Sequence, residues 1–265
     1  MASSKKRKGF WGQSKEALTV WGALSVAAVA AAILLVYAAV IGARAHKAHT
    51  VEQLTREQII EANSQKTADK LLILAHPDDD AVWAGGHLTE GGWLCVCITN
   101  GRNDTRKEEF LKAVDASGNT PLILEYPDKV NGKRDDWEEV SRGLSADLTL
   151  LLGYKKWSVI ATHNPEGEYG HQHHIMTSYL VTECCLELGI ADRLMYMGNY
   201  YTKEELPKVE SGLTRLTDEQ LKAKEYMLSF YKSQSSTIEK FRHMLPYEMW
   251  EPAAGWRERR DEKAG

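Results

Sequence analysis

The stretch Leu71-Leu72-Ile73-Leu74-Ala75-His76-Pro77-Asp78-Asp79-Asp80 joins a short apolar run to a histidine, a proline and three acids. The run is too short for a helix of its own, and Pro77 breaks any strand there. A buried strand that stops at His76 is therefore expected, with a helix over residues 81–88 behind it. In open α/β sheets, ligands bind at the carboxyl end of such strands. Three adjacent acids repel one another and resist burial, so a positive charge belongs among them. A divalent metal is the simplest candidate. Acids also favour turns and helix starts for purely structural reasons; a second cluster downstream favours a site.

Around this stretch, apolar runs alternate with helical periodicity. Strands are expected at residues 70–75, 94–99, 122–126, 159–162 and 194–197. Helices are expected at 106–116, 137–152, 171–188 and 217–230, the last opened by a capping box from Thr217 to Gln220. Such alternation predicts an α/β fold: a Rossmann-like, mainly parallel sheet with helices on both faces. No Gly-x-Gly-x-x-Gly follows the first strand, which argues against a dinucleotide cofactor. Trp83, Trp93, Trp137 and Trp157 read as core, and His87 as structural.

The amino-terminal segment has a different composition. Residues 1–16 form a basic tail, and 17–43 contain no charge. The uncharged stretch exceeds the roughly 20 residues that cross a bilayer as a helix, and is too long for a signal-peptide core. We read one transmembrane anchor at 17–43, a linker at 44–66 with a capping box at Thr50 and Gln53, a catalytic domain at 67–250, and a peripheral charged tail at 251–265. A formal charge of −4 and a pI near 6.2 leave no electrostatic footprint for nucleic acid. The four cysteines, Cys95, Cys97, Cys184 and Cys185, have neither zinc-ribbon spacing nor the setting of a disulfide framework.

The second cluster is Thr162-His163-Asn164-Pro165-Glu166-Gly167-Glu168-Tyr169-Gly170-His171-Gln172-His173-His174, at the end of the fourth expected strand. His171 and His174, three apart, share one face of a first helical turn. Loops from parallel strands open on one edge of the sheet, which brings this face to His76 and Asp79. Two imidazoles and one carboxylate with an open position make the ligand set of a catalytic zinc site.

These two clusters, with Tyr231 and Ser233-Gln234 after a helix, resemble the LmbE-like, PIG-L-type metal-dependent deacetylases. That family includes the deacetylases of the mycothiol pathway and of glycosylphosphatidylinositol synthesis. The resemblance spans residues 70–234. It implies that His76, Asp79 and His174 bind one divalent metal, Zn2+ first, with Fe2+ or another divalent ion admissible. It further implies Asp78 as general base, His171 as the positive group steadying an oxyanion, and Arg106 and Asp128 as sugar-facing residues. Two positions depart from the family pattern. Asp80 stands where Glu is usual, and Gln172-His173 where Pro-Asp is common, which makes His173 a rival third ligand.

The expected function is a membrane-anchored zinc-dependent N-deacetylase. It would hydrolyse the acetamide of a glycan, glycoside or glycolipid containing N-acetylglucosamine. Another metal hydrolase, such as a phosphoesterase, often needs a second metal and more ligands. A non-catalytic sugar-binding module has no use for a free base at Asp78. Five Lys or Arg precede the apolar stretch, against Arg44 and Lys47 just after it, which predicts a cytosolic amino terminus and an extracytoplasmic catalytic domain. Protease added to intact cells should then remove the domain; full protection would reverse the orientation.

Overall fold

The computed structural model describes residues 10–64 and 66–256. Residues 1–9 of the basic tail and 257–265 of the charged tail lie outside the described residues. The chain divides into two units, Met1–Ala48 and His49–Gly265. A single helix, α1 (Phe10–His49), runs through the first. Its segment Leu24–His49 is long and apolar enough to cross a membrane, a test that a signal sequence also passes. Leu34 and Leu35 are 67% and 72% exposed, as expected of a helix apolar all round.

In the second unit the strands are β1 (Lys70–Leu74), β2 (Trp93–Thr99), β3 (Thr120–Tyr126), β4 (Lys129–Val130), β5 (Lys133–Arg134), β6 (Val159–Thr162), β7 (Leu194–Met197) and β8 (Trp250–Pro252). The helices are α2 (Arg56–Ser64), α3 (Asp79–Ala84), α4 (Asp104–Ala116), α5 (Ser141–Gly153), α6 (Gly167–Gly170), α7 (Gln172–Glu187), α8 (Leu206–Val209), α9 (Asp218–Leu228) and α10 (Ser235–Phe241). The main sheet has the order β3-β2-β1-β6-β7-β8; β4 and β5 form a separate hairpin. Every pairing in the main sheet is parallel except β7 with β8. This is the expected α/β, mainly parallel architecture.

Alternation along β1 separates two cores. Leu71 and Ile73 pack on one face with Leu144 and Leu148 of α5 and Val181 of α7. Leu72 and Leu74 face the other way, towards Ala81 of α3, Phe110 of α4 and Met227 of α9. A strand buried on both faces has no polar side, so its sequence is continuously apolar. The four cysteines are buried and free, as expected.

Several boundaries differ from the sequence reading. The helix expected over 81–88 stops at Ala84, and a 3-10 turn follows at His87–Glu90. A Cβ on Gly86 would lie 2.3 Å from Leu216 Cδ2, and the Gly86 and His87 N–H groups donate to Glu248 at 2.8 and 3.1 Å. The tertiary carboxylate thus captures donors that a longer helix would bond internally. The helix expected from 137 begins only at Ser141, because Trp137 sits at φ 57° with its N–H bonded to the Asp135 carboxylate. The early capping box is formed by Thr55 and Gln58, not Thr50 and Gln53. The Thr217–Gln220 box is present. Residues 44–66 are not merely a linker, since Leu54 and Ile59 enter the core. The described part of the carboxyl-terminal tail is not peripheral either. Trp250–Pro252 pairs with β7, Trp250 stacks on His87 at 4.1 Å, and Trp256 is buried.

Glu248 is the main tether of that returning segment. It accepts from the buried Lys224 Nζ at 2.8 Å and pairs with His87 Nδ1 at 2.8 Å. Burial opposes its ionisation, but Lys224 and His87 outweigh burial and hold it at about 2. Its stabilising contribution is therefore present above pH ~4.3 and lost as pH falls towards 2. Glu248→Ala, which strands Lys224, should cost about 3–5 kcal/mol in chemical denaturation. A double change to apolar residues should recover much of this loss.

Candidate active site

β1 and β6 lie side by side with Ile73 opposite Thr162, so the loops that leave them emerge together. The strand order reverses direction between them, the usual place for a ligand crevice. A cleft of about 270 Å3 opens there. All seven residues singled out from the sequence line it: His76, Asp78, Asp79, Arg106, Asp128, His171 and His174.

The three consecutive acids point to three different partners. Asp78 leads into α3 at φ 111°, a strained position for a non-glycine residue. Its Oδ1 accepts from Arg106 Nη2 at 3.0 Å, and the same nitrogen donates to the Pro77 carbonyl. Burial and the neighbouring Asp79 push the Asp78 carboxyl well above its usual range, more than Arg106 can offset. Asp79 turns towards histidines: its Oδ2 accepts the His76 backbone N–H at 2.8 Å, and its Oδ1 faces His174 Nε2 at 3.3 Å. Burial would raise Asp79, but His174 and His163 hold it well below the usual range. Asp80 points back into the protein, where Tyr231 donates its hydroxyl at 2.5 Å. Burial lifts Asp80 to about 7 despite that bond.

His171 caps α7, and His174 lies one turn in. His174 is held between two carboxylates, with Nδ1 2.5 Å from Glu168 Oε2 and Nε2 against Asp79. Burial would lower it, but Asp79 and Glu168 lift it to about 10. His171 packs against His174 and His76, with ring centroids 4.3 and 4.8 Å apart. Burial, then its neighbours His174 and His76, press it down to about 2. The expected positive His171 is therefore a neutral imidazole here. What it can offer an oxyanion is a hydrogen bond, not a charge.

Among the described residues three donor groups could hold a cation: His76, His171 and His174; Asp79, His163 and His174; and His76, Asp128 and His173. His76 Nδ1 and His174 Nε2 lie 3.4 and 3.3 Å from the two oxygens of Asp79. A cation among them would take the place of the Nε2 proton that Asp79 now stabilises on His174. His163 also approaches Asp79, with Nε2 at 3.3 Å, but that nitrogen accepts the Ala75 N–H at 3.1 Å. Its lone pair is already used. His173, the rival ligand, is fully buried and stacked on Trp137 at 4.2 Å.

Sequence reading gave no role to Glu168, His163 or Arg134. Glu168 sits at φ 56° and bonds His163 Nδ1 at 3.1 Å as well as His174, so one buried carboxylate orients two rings. Arg134 is carried by the β4–β5 hairpin and bonds Asp128 Oδ1 at 2.7 Å. Asn131-Gly132 between two short runs was the available signal for that hairpin. Burial opposes ionisation of Asp128, but His76, Arg134 and His173 outweigh burial and hold its carboxyl low. Trp83, Tyr169 and Phe241 form an aromatic wall, with Trp83 and Tyr169 both 5.3 Å from Phe241. Trp83 thus lines the cleft as well as the core.

Fold and cleft together define an α/β protein with a candidate single-metal centre at the sheet's switch point. Residues 71–185 match the family model PIG-L, described as GlcNAc-PI de-N-acetylase. Over a little under half of the chain, this stretch is thus similar to the PIG-L / LmbE-like de-N-acetylase family. The chain is 34% identical over 140 residues to the uncharacterized protein L374 of Acanthamoeba polyphaga mimivirus, across 46% of this chain and 60% of that protein. It thus spans less than two thirds of that relative's length. Among solved structures, the chain is similar to the N,N'-diacetylchitobiose deacetylase of Pyrococcus horikoshii, at TM-score 0.46 and 18% identity over 73% of this chain and 88% of that one. The conserved protein TT1542 of Thermus thermophilus gives 0.49 and 18% over 69% and 92%. The 4-carboxy-2-hydroxymuconate hydratase GalB of Pseudomonas putida gives 0.47 and 13% over 67% and 84%.

Glu168→Gln tests the two-carboxylate clamp on His174. Losing one negative partner should lower the His174 pKa from about 10 in the chelated protein, read by NMR titration. An unchanged value would leave Asp79 as the sole cause.

Proposed function

We propose that this chain is a metal-dependent N-deacetylase that removes the acetyl group from an N-acetylglucosamine unit of a glycan, glycoside or glycolipid. The observation that supports this reading is that His76 Nδ1 and His174 Nε2 each lie within 3.4 Å of an Asp79 oxygen, in a cleft that Asp78 and His171 also line. The match of residues 71–185 to the de-N-acetylase family model supports the acetamide as the bond broken. His76, Asp79 and His174 would hold the ion, Zn2+ first among the candidates. When bound, such an ion polarises a carbonyl oxygen and lowers the pKa of a water.

The chain's own groups do the rest. Asp78 is spent neither on Asp79's partners nor on the metal, and takes the proton of the attacking water. Arg106 keeps its carboxylate aimed into the cleft through the 3.0 Å bond. His171 donates an N–H to the oxyanion as the carbonyl becomes tetrahedral. The proton held by Asp78 then passes to the departing amine, giving acetate and the free amino sugar. Arg106 and Asp128 line the same cleft as candidate sugar-facing groups, although both already hold partners. The aromatic wall suits the apolar face of a pyranose ring. The apolar α1 segment supports a membrane-anchored protein and a substrate held near a lipid surface.

Acetate release from a panel of soluble and lipid-linked N-acetylglucosaminides, with bound metal measured alongside, tests the reading. His174→Ala should lose both metal and turnover. Asp78→Asn should keep the metal while turnover falls about 10²–10⁴-fold. His171→Ala should keep the metal and lose about 10²–10³-fold. Near-normal turnover in Asp78→Asn would remove Asp78 from its role.

A further inference from the structure

We infer that His173 is a positioning residue that fixes which nitrogen of His76 is free to hold the metal. This rests on the reading that His76 is a metal ligand. The relay starts at a backbone carbonyl. His173 Nε2 lies 2.7 Å from the Asp135 carbonyl oxygen, which can only accept, so Nε2 carries the proton. His173 Nδ1 is then a lone pair, and it faces His76 Nε2 at 3.1 Å. A hydrogen bond there requires the His76 proton on Nε2. The lone pair of His76 is thereby placed on Nδ1, the nitrogen that faces Asp79 Oδ2 at 3.4 Å.

Each part of the relay is held in place. His173 is fully buried and lies nearly parallel to Trp137, at 15° and 4.2 Å between ring centroids. Trp137 is pinned by its indole N–H on the Pro127 carbonyl at 2.7 Å. The side chain of Asp135 takes His49 Nε2 at 2.8 Å and the Trp137 N–H at 2.8 Å, while its own N–H bonds the Asp128 carbonyl at 3.0 Å. The accepting carbonyl therefore has little freedom to move.

Two other arrangements compete for the same atoms. His76 Nε2, His173 Nδ1 and Asp128 Oδ1 lie close enough to bracket a cation of their own. Arg134 Nη1 already sits among them, 2.7 Å from Asp128, 3.2 Å from His76 and 3.5 Å from His173. Its fixed positive charge opposes a cation there. Arg134 could instead donate to His76 Nε2, which would move the His76 proton to Nδ1 and block ligation. Its shorter bond is to the Asp128 carboxylate, and the acceptor on His173 leaves His76 as the donor. His173 thus performs, as a neutral acceptor, the orienting work that outer partners of ligating histidines commonly do.

The test is zinc affinity by competition with a chromophoric chelator, in the full chain, for wild type, His173→Leu and His173→Asn. Leu removes the acceptor, and Asn presents its Oδ1 near the position of Nδ1. His173→Leu should weaken zinc by about 10–100-fold, while His173→Asn should stay close to wild type. Equal losses in both would make His173 itself a ligand and overturn the proposal, as would wild-type affinity in His173→Leu. A second measurement needs no variant. Long-range proton–nitrogen NMR of the chelated wild type should find the His76 proton on Nε2; a proton on Nδ1 would overturn the relay. Wild-type zinc binding without acetate release from any substrate would defeat the deacetylase reading and leave the relay standing.

Discussion

Three carboxylates in a row, all buried at the head of one helix, are the constraint that the rest of the site answers. Burial presses each towards the neutral form, and the three respond differently because each has a different partner. Asp79 meets two histidines and stays ionised, Asp80 meets a phenol and sits at about 7, and Asp78 meets one arginine and is pushed well above its usual range. A strand-to-helix turn makes this divergence feasible. The strained Asp78 backbone and the first turn of α3 send three adjacent side chains in three directions. One chain segment thus supplies a candidate base, a candidate ligand and a structural anchor.

The second cluster is arranged around another buried acid. Glu168 touches both His163 and His174, and those rings stack 3.8 Å apart. Together with Asp79 this makes an alternating array of carboxylate and imidazole, in which each charge has an opposite neighbour. Such an array can shed protons and accept a divalent ion without leaving an unpaired buried charge. The β4–β5 hairpin closes the far side by bringing Arg134 to Asp128, and the carboxyl-terminal segment braces the back through Glu248.

The departures from the family pattern are compensated locally. Asp80 is one methylene shorter than the usual Glu, and the Tyr231 hydroxyl reaches in to meet it at 2.5 Å. At His173 the Asp135 carbonyl accepts from Nε2, which leaves Nδ1 as an acceptor facing His76. In each case the partner comes from a distant part of the chain, so the substitution is intelligible only in three dimensions.

The sequence by itself determined the layer architecture and the two clusters at the strand ends; the family resemblance added Asp78, Arg106 and Asp128 to the cleft residues. The physical reason is that doubly buried strands must be continuously apolar, and parallel strands bring their following loops to one edge. His76, Asp79, His171 and His174 were legible because each lies within a few residues of a strand end or helix start. Only the tertiary structure decided the protonation of His171, the roles of Glu168 and Arg134, and the end of α3 at Gly85-Gly86. These depend on contacts made across long stretches of chain, such as Glu248 to Gly86 and Tyr231 to Asp80. Local pattern carries no record of such contacts, because periodicity reports which face is buried and not what it is buried against.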